Sequence, residues 1–219
     1  MEIEKHYHEV LSLGEELIHF IIHALQNRPK YQDLVNIIKK AGYTEAGDFK
    51  LPPNGKAVRI TFAEAKKLLK DSGYPVGEDP HEDINTAEEK ALGAIMLEKY
   101  ITDFYSVDKY PRSLRPFYTK PCPEDPELTN SYDFFMRGQE IMSGAQRINN
   151  YKELCENMSK MGLDPLSEGF SHYTESFKYG CMPHGGGGFG LNRIVQYFLG
   201  LNNVREATMF PRDPGRLAP

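Results

Sequence analysis

Ser131-Tyr-Asp-Phe-Phe-Met-Arg-Gly-Gln-Glu-Ile-Met-Ser-Gly-Ala-Gln-Arg147 is the stretch on which the fold turns. It is rich in aromatic and branched residues, alternates at a strand period, and is broken once by Arg137-Gly138, a pair suited to a tight turn. A two-residue turn there sets Phe135 opposite Glu140 and leaves Asp133 diagonally across on the same side. Two carboxylates on one face repel unless something positive lies between them. A divalent cation carrying polyphosphate fits, because Mg²⁺ commonly takes one or two carboxylates plus phosphate oxygens. From spacing alone, an exposed hairpin of solvated charges fits as well.

At the end of this stretch Arg147 follows Ser143-Gly-Ala-Gln, small residues that leave room beside a guanidinium. Such an Arg can clamp a carboxylate through two parallel hydrogen bonds, a geometry an ammonium does not supply. A plain surface Arg is the simpler reading of the same residues.

Further along, His184-Gly-Gly-Gly-Gly-Phe-Gly-Leu-Asn-Arg193 joins a glycine run to a helix expected over about 190–199. Glycines admit close backbone approach, and the helix start offers unpaired N–H groups to an anion. Leu191, Ile194, Val195, Phe198 and Leu199 form the expected buried stripe, with Arg193 off it and free to reach a phosphate. The run has neither the Gly-Lys-Ser/Thr ending of a P-loop nor the spaced glycines of a dinucleotide site.

Toward the N-terminus, Tyr7, Val10, Leu11, Leu17, Ile18, Ile21 and Leu25 recur at helical spacing. Residues 44–90 are punctuated by Gly and Pro and hold one helix candidate, Thr61 to Asp71; they read as a small insert. Thr86 with Glu89 three residues on predicts a capping box that opens a helix to about Lys99. Strands are expected at 102–107 and 114–119 beside the hairpin, and a helix over 151–161 closed by Gly162. Together these predict an α+β fold with an antiparallel sheet flanked by helices.

The composition is that of an ordinary globular chain: 40% of the 219 residues are hydrophobic and 26% charged, which excludes wholesale disorder. A net charge of −5 argues against a free-standing nucleic-acid module. Cys122, Cys155 and Cys181 are scattered and odd in number, which suits a reducing compartment. The charged N-terminus is unlike a signal peptide, and no apolar run is long enough to span a bilayer. The chain therefore reads as cytoplasmic, with no membrane partner. His19 and His23 are spaced as helical metal ligands, but a third ligand is not evident and packing explains them.

Taken together, His6-Tyr-His-Glu-Val, Asp103-Phe-Tyr, Asp108-Lys-Tyr-Pro, Arg115-Pro-Phe-Tyr, the hairpin through Arg147 and the segment from Gly185 to Pro219 resemble class II aminoacyl-tRNA synthetases of the aspartyl, eukaryotic cytoplasmic type. The resemblance runs over nearly the whole chain. It implies that Asp133 and Glu140 hold magnesium with ATP, that Ser143, Gly144 and Arg147 bind aspartate, and that Gly187, Gly188, Gly190, Leu191, Asn192 and Arg193 belong to motif 3, whose Arg contacts a bent ATP. Glu140, Arg147 and Arg193 are the implied catalytic groups. Aspartate, ATP and the tRNA acceptor end are the implied partners, with a homodimer in the intact enzyme.

Two departures accompany the resemblance. Asn192 stands where the family usually has an acidic residue. The family's anticodon-binding barrel, motif 1 and motif 2 precede the point matching Glu2, so residues 1–219 read as the C-terminal part of a catalytic domain, with 44–90 as an insert. The other readings are a non-catalytic truncated paralogue and an asparaginyl-type enzyme.

Overall fold

In the computed structural model, which describes residues 1–53 and 55–217, the hairpin forms the centre of a five-stranded sheet. Ahead of it come α1 (His8–Asn27), α2 (Pro29–Lys40), β1 (Val58–Thr61), α3 (Phe62–Asp71), α4 (Thr86–Tyr100) and β2 (Phe104–Asp108). The hairpin itself is β3 (Ser131–Met136) and β4 (Gln139–Arg147). α5 (Tyr151–Lys160), α6 (Ser171–Ser176), β5 (His184–Phe189) and α7 (Leu191–Leu199) complete the chain. Strand order follows the sequence, β1-β2-β3-β4-β5. β1 pairs parallel with β2 and the rest pair antiparallel, so the sheet is mixed rather than purely antiparallel. The parallel pair arises because α3 and α4 intervene between β1 and β2, the long crossover that parallel strands require.

Period-2 alternation divides the sheet into two faces. Phe104, Tyr132, Phe134 and Met136 turn to one side, where Leu11, Ile18 and Ile22 of α1 and Ile194 and Phe198 of α7 meet them. Tyr105, Val107 and Phe135 turn to the other, against Leu69 of α3 and Leu92 and Met96 of α4. A third, smaller core forms around Ile148, Leu154, Met158 and Phe177 beneath α5 and α6. α1 carries a second apolar stripe, Leu13, Leu17 and Phe20, which is open to solvent.

Several expectations need correcting. Residues 114–119 form no strand: Arg112–Leu114 is a 3₁₀ turn, and Thr119 makes only a single bridge to Arg147. Pro116 in the middle removes a ladder donor, so aromatic content there outweighs strand capacity. The cap of α4 is Asn85 boxed with Glu88, one residue earlier than Thr86 with Glu89. Asn accepts from two backbone N–H groups at once, Ala87 and Glu88, and the shift frees Glu89. The glycine run is itself a strand, β5. Leu191 lies outside the buried stripe of α7 and is 69% exposed, whereas Ile194 and Phe198 are buried. Residues 44–90 supply β1 and α3, which join the sheet and the second core.

Candidate functional site

The hairpin turn is built as its sequence suggests. Arg137 and Gly138 both have positive φ, 50° and 69°, the backbone of a two-residue turn between twisted strands. Gly138 and Gly93 together let α4 lie directly on the turn: a Cβ on Gly138 would meet the Glu89 carbonyl at 2.6 Å, and one on Gly93 the Gly138 backbone at 2.5 Å. That contact brings Glu89 of α4 over the site.

Beyond the turn the register slips once. Phe135 opposes Glu140, but Phe134 opposes Met142 and Asp133 opposes Ser143, with a bulge at Ile141. Ile141 and Met142 both enter the α1-side core. The bulge has a large consequence, because every later residue of β4 changes face. Without it Met142 and Gly144 would share a face with Glu140; with it Ser143, Ala145 and Arg147 do.

β5 then sets Gly188 opposite Ser143, Gly186 opposite Ala145 and His184 opposite Arg147. Its glycines serve two ends. A Cβ on Gly187 would meet the Met142 sulfur at 2.6 Å, and one on Gly185 the Ala145 carbonyl at 2.9 Å, so these two are glycine because the strands pack closely. A Cβ on Gly186 or Gly188 would meet nothing within 4 Å. Their bare faces form the floor of a cavity of about 520 Å³, walled by Arg115, Tyr118, Thr119, Ser143, Arg147 and His184.

Charge in and beside this cavity is only partly paired. Arg115 donates to Asp133 Oδ2 at 2.6 Å and to Ser143 Oγ at 3.0 Å, with its guanidinium 3.7 Å over the Tyr110 ring. Burial works against the Arg115 charge, but Asp133 beside it more than offsets this and keeps its pKa above the ordinary value. Asp133 Oδ1, Arg115 Nε and Thr119 Oγ1 are buried and have no hydrogen-bond partner. Arg115 and Thr119 line the cavity, and Asp133 is held beside it by Arg115. Arg147 lies 4.7 Å over the Tyr118 ring, and no carboxylate among the described residues pairs with it.

A second group sits at the hairpin end. Arg193, in the first turn of α7, donates to the Glu140 carbonyl at 2.9 Å and lies 3.6 Å from its carboxylate. Burial, then Asp133, raises the Glu140 carboxyl above its usual range, with Arg193 and Arg115 opposing. Burial, then Glu140 and Asp83, pushes Glu89 up to about 7. No three His, Cys, Asp or Glu side chains among the described residues form a ready metal cage. Two hard carboxylates, one with an unused buried oxygen, instead suit a cation that brings its remaining ligands as phosphate and water.

Most of the residues singled out in the sequence thus converge: Asp133, Glu140, Ser143, Gly188 and Arg147 share one sheet face, and Arg193 joins them from α7. Gly144 borders the same cavity through its backbone, with its Cα turned to the Tyr132 ring, 2.6 Å from where a Cβ would stand. Gly187 likewise turns toward the core. Gly190 closes the strand by donating to the Ile141 carbonyl at 2.7 Å. Leu191 and Asn192 are exposed beyond it. Arg115 and Glu89 escaped the sequence reading. Arg115 preceded a proline with no carboxylate nearby in sequence, and Glu89 had been assigned to a cap.

With this geometry in view, the likeness to known proteins is specific. The family described as tRNA synthetases class II (D, K and N) matches residues 1–214. The chain belongs to that family. Among class II synthetases, the cytoplasmic aspartate–tRNA ligase of Homo sapiens is 43% identical over the whole chain, which covers 42% of that protein. The Arabidopsis thaliana aspartate–tRNA ligase 2 is also 43% identical, with 38% of it covered. In structure, the aspartyl-tRNA synthetase of Entamoeba histolytica superposes with a TM-score of 0.91 at 42% identity, covering all of this chain and 43% of that one. An asparaginyl-tRNA synthetase from Pyrococcus horikoshii superposes with a TM-score of 0.79 at 27% identity, over 98% and 48%. The chain spans about two-fifths of the length of the curated class II synthetases it matches. No described helix is long and apolar enough to cross a membrane.

Proposed function

We propose that this chain carries the amino-acid and ATP half-site of an aspartate–tRNA ligase: residues 1–219 as the C-terminal portion of the catalytic domain, 44–90 as an insert within it, acting in the cytoplasm as its named relatives do. The observation that carries the reading is the single sheet face on which Asp133, Glu140, Ser143 and Arg147 stand above a floor of bare glycine backbone.

Arg147, cationic and without a carboxylate partner, receives the side-chain carboxylate of aspartate, with Ser143 beside it. An uncharged carboxamide would forgo the charge-assisted pair, which favours aspartate over asparagine. ATP lies against Gly186 and Gly188, with Arg193 at its outer phosphates. The α-carboxylate oxygen of aspartate attacks the α-phosphorus as the bond to the β-phosphate breaks, giving aspartyl-adenylate and pyrophosphate. The tRNA 3′-end hydroxyl then takes the aspartyl group and AMP leaves. Asp133 and Glu140 would hold Mg²⁺, which neutralises phosphate charge when bound. Arg115 fixes Asp133 and Ser143 in place so that neither must reorganise during reaction. In the whole enzyme, tRNA and a second copy of the chain are the expected partners.

The test is aspartate-dependent ATP–pyrophosphate exchange, with asparagine as control and Arg147→Ala beside the unaltered chain. Exchange that needs aspartate and is lost in the variant is expected. Exchange that persists in Arg147→Ala, or that runs equally on asparagine, overturns the assignment of this face.

A further inference from the structure

Just past the end of β2 lies a cluster of nucleophilic and charged side chains that the half-site above does not use. Cys122 is 3% exposed, and its thiol meets two of them. It donates to Glu124 Oε2 at 2.7 Å, and Lys109 Nζ donates to its sulfur at 3.0 Å. The lysine nitrogen is thus nearer the sulfur than the Glu124 carboxylate, which stands 4.0 Å away. Asn130 Oδ1, accepting from Nζ at 3.2 Å, and the Tyr7 ring, 5.1 Å away, help to hold it there.

The backbone fixes both partners. Lys109 has a φ of 59°, a left-handed conformation uncommon outside glycine. It is kept there by N–H donation to Asp108 Oδ1 at 2.7 Å and to the Ser131 carbonyl at 3.1 Å. The Cys122 N–H donates to the Leu128 carbonyl at 2.9 Å. Cys122, Lys109 and Glu124 all stand in the wall of a second cavity of about 520 Å³, lined also by Phe62, Pro111 and Leu128. A small neutral oxidant can enter a space of that size and reach sulfur and amine side by side.

We propose that Cys122 and Lys109 form a peroxide-responsive covalent switch, in which oxidation of the thiol closes an S–N bond between the two side chains. In the first step hydrogen peroxide oxidises the sulfur by two electrons: the O–O bond breaks, Cys122 becomes a sulfenic acid and one water leaves. In the second, the Lys109 ammonium gives a proton to Glu124 and the freed amine lone pair attacks the sulfur. The S–OH bond breaks, and the departing hydroxide takes a second proton from nitrogen to leave as water. The product is a sulfenamide that ties the end of β2 to the loop leading into β3, and thiols reopen it. Tyr110, the next residue, carries Arg115 on its ring, so the switch adjoins the support of the ligand face.

The probe is hydrogen peroxide alone, added to the whole chain. Digestion and mass spectrometry without reductant are expected to give a peptide joining Lys109 to Cys122, lighter by two hydrogens than its separate parts and parted again by dithiothreitol. A closed loop restricts the unfolded chain, so the thermal midpoint should rise by about 5–10 °C on treatment and return on reduction. Lys109→Arg keeps the cation but removes the amine; the joined peptide and the rise should both be lost, with Cys122 captured by dimedone as the sulfenic acid. Cys181, which faces His184 at 3.4 Å instead, is the internal comparison. A Cys122 that stays reduced while Cys181 is oxidised overturns the proposal. So does a sulfenic Cys122 beside an unmodified Lys109. Both outcomes are read on the unaltered chain, without ATP or aspartate, and stand apart from the fate of the half-site.

Discussion

The two faces of the sheet treat buried carboxylates in opposite ways. On the α1 side, Glu15 is 6% exposed, and both its oxygens are used: Arg59 Nε and Nη2 donate to it at 2.6–3.1 Å and the Ser106 hydroxyl at 2.8 Å. Asp108 on the same side accepts from Tyr7 and from the Lys109 N–H, and meets His8 at 2.7 Å. On the opposite side Asp133 is 4% exposed, yet one oxygen is unused, and Glu140 and Glu89 crowd together without a full complement of cations. The chain can satisfy an acid completely where only packing is at stake. On the site side Asp133, Glu140 and Glu89 gather at one end of the hairpin with Arg115 and Arg193, and that crowding separates them from the fully paired acids of the α1 side.

The sharpest way to break this contrast is to remove one charge from each face. Arg59→Ala leaves Glu15 buried without its cation and is expected to cost about 3 kcal/mol, the lower end for a severed buried pair because Arg59 is partly exposed. Glu140→Gln removes a charge from a crowded acidic group, so stability is expected to hold within about 1 kcal/mol or rise. ATP binding in the presence of Mg²⁺ should weaken in that variant and not in Arg59→Ala. Urea unfolding of the two variants decides the matter; equal losses of stability would show that the site face is as structural as the other.

A smaller contrast runs along one strand. Gly187→Ala drives a methyl into Met142 and the Ser143 carbonyl and should cost about 1–3 kcal/mol through overpacking. Gly188→Ala, one residue on, projects into open space and should change stability by no more than about 0.5 kcal/mol. Its methyl stands on the cavity floor, so ATP affinity should fall all the same. Thermal midpoints that move alike for both would remove the argument that β5 has a packed face and a ligand face.

These neighbours also mark how far the sequence could be read. Helical periodicity placed α1, α5 and α7, and Arg137-Gly138 placed the turn, because each is a local signal. β5 could not be seen as a strand: glycines carry no alternation, and its pairing is dictated by β4. The Ile141 bulge was equally hidden, since an unbulged register already set Glu140 and Asp133 on one face. Yet the bulge is what delivers Ser143 and Arg147 to that face, so the sequence suggested the right group of residues without the device that assembles them. β1 pairs parallel only through α3 and α4, a tertiary fact. Arg115 and Glu89 became visible only when elements distant in sequence met.

The finest probe of the contrast is Glu89. Its carboxyl is raised from 4.5 to about 7 by burial and by the acids facing it, Glu140, Asp83 and Asp133, with Arg193 opposing. An acid whose pKa is raised on folding binds more protons folded than unfolded across that window. Its contribution to stability is therefore full below about 4.5 and is lost as the pH climbs through about 7. Glu89→Gln removes the titration. Without added divalent cation, the variant should match the unaltered chain at the acid end of the window and exceed it modestly in thermal midpoint at pH 8. Adding Mg²⁺ with ATP should narrow the gap at pH 8, because a cation between these carboxylates stabilises their ionised forms. A gap that stays the same with and without the cation would mean that Glu89 answers only to its neighbours in the fold, and would move it from the ligand face of the comparison to the structural one.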